Sequence, residues 1–149
     1  MHKQRIWMWC FGVLALIGLF LLWIETIGIS FSGWDMGAMG FLVVAMIVVA
    51  MGLAAIDNRE QSLGYIQLLL ASICMGVFAL FSGYNLYNLS VTIDELQSMS
   101  GPADVRMGWG IYLSFAASLV FIVGAWILRD PNPEKARANW TNDDILDDW

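Results

Sequence analysis

The sequence predicts an all-α integral membrane protein: a four-transmembrane-helix, up-down-up-down bundle with both termini cytoplasmic and a short outer helix between the third and fourth spans. Three observations carry this. Of 149 residues, 59% are hydrophobic and only 13% charged, whereas a soluble domain carries about 25% charged residues. The apolar residues fall into four charge-free runs, Ile6 to Ile24, Met36 to Ile56, Gln61 to Ile93 and Met107 to Leu128, each long enough for the ~20 residues that cross a bilayer. The cations are lopsided. Lys3, Arg5, Arg59, Arg129, Lys135 and Arg137 flank one set of helix ends, and only Arg106 the other. Positive-inside threading then puts both termini in the cytoplasm of a multi-pass protein of the plasma (cytoplasmic) membrane.

The first span is expected over residues 6–26. The basic start, Met1 to Arg5, resembles a signal peptide. The apolar stretch behind it is longer than a usual signal core, and "LWIETIGIS" has bulky residues where a peptidase needs small ones. An uncleaved helix is therefore expected. An outer loop from Gly28 to Gly37 leads to the second span at 37–56. There Asp35 precedes the helix N-terminus, which favours negative charge. A tight inner turn, Asp57 to Ser62, leads to the third span at 63–84, which ends where the chain turns polar at Tyr84-Asn85-Leu86-Tyr87-Asn88. Within the second outer loop, Thr92 and Glu95 have capping-box spacing and predict a short helix near 93–99. Its readings are a loop on the bundle rim or a lid. The fourth span is expected at 107–128, stopped by Asp130-Pro131-Asn132-Pro133. This divides the chain into a transmembrane domain, 1–129, and an acidic cytoplasmic tail, 130–149.

Interior faces are marked by small residues at four-residue spacing, which let helix backbones approach. Gly110, Ser114 and Ser118 form such a row in the fourth span, Ala50 and Ala54 in the second, Ala79 and Gly83 in the third. Gly37 and Gly40, like Gly108 and Gly110, are expected to admit a neighbour at a helix entry. Most tryptophans are assigned to interfacial belts, with Trp7, Trp9 and Trp126 at the inner face and Trp23, Trp34 and Trp109 at the outer.

Chemistry is sparse. His2 is the single histidine, and with Cys10 and Cys74 it supplies too few ligands for a zinc site. Both cysteines are expected to be buried, at depths about 10 Å apart, beyond disulfide reach. No catalytic residue, metal or cofactor is assigned. Seven dispersed cations make a poor nucleic-acid surface. Glu25, at the outer end of the first span, is read either as an interfacial carboxylate or as a coupling group for transport. With Asp35 it forms a candidate outer polar site. In the tail, Trp140, Ile145, Leu146 and Trp149 stand among four aspartates. This segment is read either as solvated chain or as a partner-docking element.

A tryptophan in the first outer loop of a four-helix layout resembles tetraspan proteins such as claudins, whose paired outer cysteines this chain lacks. A glutamate in the first helix is similar in layout to small multidrug transporters. Neither resemblance extends to the surrounding residues. The function expected is an accessory, scaffold or assembly subunit without catalytic chemistry, acting through helix and tail association in a homo-oligomer or larger membrane complex. The alternative is a small oligomeric transporter or channel subunit that uses Glu25.

Overall fold

The computed structural model describes residues 2–26, 29–56, 62–100 and 105–129. The inner turn at 57–61 and the tail from 130 onward, with Trp140, Ile145, Leu146 and Trp149, lie outside the described residues. Four helices dominate: α1 (Lys3–Phe20), α2 (Ala38–Ala55), α3 (Tyr65–Ser100) and α4 (Trp109–Ile127). All four are long and apolar enough to cross a membrane. At 1.5 Å per residue, α1, α2 and α4 are about 27–28 Å long, close to the ~30 Å hydrocarbon thickness.

Each helix sends one stripe inward. Met8, Ala15 and Leu19 of α1 meet Val43, Ile47, Ala50 and Ala54 of α2, Leu68, Ala71, Met75 and Phe78 of α3, and Ile111, Ala117, Phe121 and Ala125 of α4 in one core. The three- and four-residue spacing of these positions is that of one helix face. Packing runs from α1 to α2, α2 to α3 and α3 to α4, and closes most extensively between α4 and α1. That last contact is close because side chains are absent from it. A Cβ on Gly18 would lie 2.7 Å from both Ser114 N and Oγ, and one on Gly110 would lie 2.7 Å from the carbonyls of Gly18 and Leu21. Ser114 and Ser118 are fully buried beside this seam, and Gly83 of α3 lies against the Phe115 ring.

The structure departs from the sequence reading in four places. The first helix covers 3–20 rather than 6–26. After the extended Leu21, residues Leu22–Thr26 form strand β1. Apolar continuity hid this break, because a short apolar run suits a strand as well as a helix. The expected loop from Gly28 to Gly37 contains β2 (Ile29–Ser32) and a 3₁₀ turn (Gly33–Met36), and β3 (Arg106–Met107) precedes α4. The short helix expected at 93–99 is not a separate element, because α3 runs without interruption to Ser100. Thr92 does not cap a new helix; its hydroxyl donates back to the Asn88 carbonyl. Ser90 does the same to Tyr87, Ser98 to Glu95 and the Asn85 amide to Phe81. These residues satisfy themselves on their own helix, so a polar composition did not end it. Finally, Cys10 is exposed on α1 rather than buried, and Cys74 is half-buried.

Candidate functional site: the strand cap, the helical arm and the terminal clasp

The strands form a three-stranded antiparallel sheet, ordered β2-β1-β3, across one end of the helices. Its register slips between Leu22, opposite Ser32, and Ile24, opposite Phe31. Trp23 is therefore the extra residue of a bulge, a device that re-aims a side chain. Here the indole turns into the core and becomes fully buried, outside any interfacial belt. Its Nε1 donates to the Gly18 carbonyl at 3.0 Å, its own carbonyl accepts from Gly108 N at 2.9 Å, and Phe81 of α3 lies 6.0 Å away ring to ring. Gly108 has to be glycine-sized, since a Cβ there would overlap the Leu22 carbonyl. Gly40 likewise leaves room for the Trp34 carbonyl, 2.7 Å from where its Cβ would stand. Gly37 faces open space and serves the turn instead, with φ +63°.

The candidate polar residues sit on this cap. Glu25 is exposed on β1, and its Cα lies in register with that of Arg106 of β3, a cross-strand position at which opposite charges attract. Asp35 belongs to the 3₁₀ turn. Its Oδ2 accepts from Ser32 N at 2.7 Å and from Ser32 Oγ at 2.8 Å, and these two bonds hold its carboxyl below the usual aspartate range. Ser32 is opposite Leu22, three residues and roughly 10 Å of strand from Glu25. Each carboxylate thus has its own neighbour, Ser32 for Asp35 and the register partner Arg106 for Glu25.

Beside the cap, α3 continues. Its 36 residues measure about 54 Å, nearly twice the other helices. Along this continuation, Leu86 and Leu89 pack against the core while Tyr84, Tyr87 and Val91 are on the side away from it. The two tyrosines are 67% and 68% exposed. Asp94 and Glu95 are exposed further along.

The opposite end is closed differently. Gln4 and Arg5, at the start of α1, are buried. The Gln4 amide donates to the Ala125 carbonyl of α4 at 2.6 Å and its Oε1 accepts from Leu63 N at 2.9 Å. Arg5 donates to the carbonyls of Ala54 and Ile56, at 3.0 and 2.7 Å. A helix C-terminus leaves carbonyls without intrahelical partners and carries partial negative charge, so a guanidinium there meets both needs for α2. Arg129, after α4, lies over the Tyr65 ring at 5.3 Å, and Trp126 Nε1 donates to Ser72 Oγ. Sequence reading treated Lys3 and Arg5 as topological markers and missed that Arg5 is a structural cap. A linear pattern carries no signal for it, because its partners lie 49 and 51 residues away.

Comparison with known proteins finds no matching family model, no similar curated protein and no similar solved structure.

Proposed function

We propose that this chain is a non-enzymatic subunit of a membrane complex, threaded up-down-up-down with both termini in the cytoplasm, and that it works by presenting the strand cap and the α3 arm to a partner on the outer side. The threading draws support from the cations: Lys3, Arg5 and Arg129 gather at the clasped end, Arg106 at the capped end. The observation that carries the association is the arm. A helix that only crosses a bilayer needs about 20 residues, whereas α3 has 36. From the end of that span onward, Tyr84, Tyr87 and Val91 lie on the face turned away from its own core. Tyrosines are favoured anchors at protein interfaces because they bury a large rigid ring and still offer a hydroxyl.

Native membranes solubilised in a mild detergent test this. The full chain is expected to migrate in a complex larger than one copy, and the double variant Tyr84→Ser, Tyr87→Ser to migrate alone while keeping its helical content. A wild-type chain that migrates alone, without self-association or partner, overturns the reading.

A further inference from the structure

One surface feature is used by neither the cap nor the clasp. Trp7 of α1 lies against α4 at Gly124, where a Cβ would overlap the indole, and its Nε1 donates to the Val120 carbonyl at 3.1 Å. The ring therefore stands as a ridge beside the outward face of α4. Between them runs an apolar groove of about 290 Å³, lined by Trp7, Leu119, Val120, Val123, Ile127 and Leu128. From Leu119 to Leu128 it is about 14 Å long, half of the ~30 Å hydrocarbon thickness. Its length is that of one leaflet.

Its end is charged. Lys3 is exposed and stands four residues before Trp7, on the same helical face. The Gln4–Ala125 hydrogen bond fixes the height of this turn at the last turn of α4, where Ile127 and Leu128 close the groove. Arg129, the next cation along the chain, is engaged with Tyr65. An apolar groove one leaflet long, with an exposed lysine one turn of α1 before Trp7 at the same end, suits the chain and the charge of an anionic phospholipid. We propose that the groove holds an acyl chain of one anionic phospholipid, with the phosphate at Lys3. The inference rests on the membrane-spanning reading and is independent of any protein partner.

Native mass spectrometry of the full chain in mild detergent, with phosphatidylglycerol and phosphatidylcholine in equal amounts, tests it. One phosphatidylglycerol is expected to remain bound, favoured about fivefold over phosphatidylcholine, as one lysine at an anionic headgroup supplies. Lys3→Gln is expected to erase that preference while keeping lipid binding. Val123→Trp fills the groove and is expected to remove the adduct; Ile127→Trp is a second filling variant at another exposed position. Ile73→Trp, on the exposed face of α3, is expected to change nothing. Adducts that survive both filling variants, that fall equally with Ile73→Trp, or that keep their headgroup preference in Lys3→Gln overturn the proposal. Release of the chain from membranes by alkaline carbonate would instead overturn the membrane reading itself. An integral protein that retains no phosphatidylglycerol overturns the groove proposal and leaves the membrane reading standing.

Discussion

The two ends of this molecule meet the same requirement by different means. At both, helices terminate and leave backbone groups that need partners. At the clasped end the partners are two consecutive side chains, Gln4 and Arg5, which reach the ends of α2 and α4 and the entry to α3. At the capped end most partners are backbone, since β1 pairs with β2 and β3 and the Trp23 carbonyl accepts from Gly108 N, with the Trp23 indole and the Asp35 carboxylate adding single side-chain bonds. A function concentrated in side chains is lost with one residue. A function spread over backbone is lost only where a side chain fills a large volume. The clasp should therefore be fragile to substitution and the cap tolerant, except at Trp23.

The largest expected effect is at the clasp. Arg5→Ala leaves the carbonyls of Ala54 and Ile56 without their donor and is expected to cost about 1–3 kcal/mol for each buried acceptor left unsatisfied. Arg5→Lys is expected to restore part of this, because an ammonium keeps the charge and can donate to both carbonyls but lacks the planar guanidinium's further donors. Unfolding of the full chain in mixed micelles measures both. Next comes Trp23→Ala, expected to cost about 3 kcal/mol by leaving a cavity under the sheet. Trp23→Phe is expected to cost roughly 1 kcal/mol, largely through the lost bond to Gly18. Should Trp23→Ala prove harmless, the cap does not depend on its bulge.

Smaller effects belong to the cap surface. A double-mutant cycle on Glu25→Gln and Arg106→Gln is expected to give a coupling of roughly 0.2–1 kcal/mol that fades as salt is added. A larger, salt-insensitive coupling would mean the pair is buried in the native assembly. The smallest effect concerns pH. The folded-state pKa of Asp35 is depressed by its bonds to Ser32, so its contribution is fully present above the unfolded aspartate pKa. That contribution fades as pH falls through the lower, folded value. Asp35→Asn is expected to flatten stability across that acidic window, read by thermal unfolding of the two proteins side by side.

How much of this was legible in the sequence differs between the ends as well. The four helices could be read because length and lack of charge are local properties. The hairpin was partly legible: Ile24 to Ser32 is rich in β-branched residues and has Gly28 at its middle, a hairpin signal. The apolar run leading into it read as more helix. The α3 arm was misread because Asn85, Asn88, Ser90 and Thr92 have turn-forming composition, yet three of their side chains bond back to the helix. The clasp and the Trp23 bulge were illegible. Each depends on which distant carbonyl a side chain meets, and that is decided only once the helices are packed.

The Gln4–Ala125 contact also orders events in time. Its partners are 121 residues apart, and chains emerge from synthesis N-terminus first. Gln4 and Arg5 enter early, while the α2 carbonyls, Leu63 and finally Ala125 arrive in succession. Until α4 is complete, the first turn of α1 has no finished site to occupy. The first turn of α1 thus reaches its final contacts late, and the clasp closes only once all four helices are present.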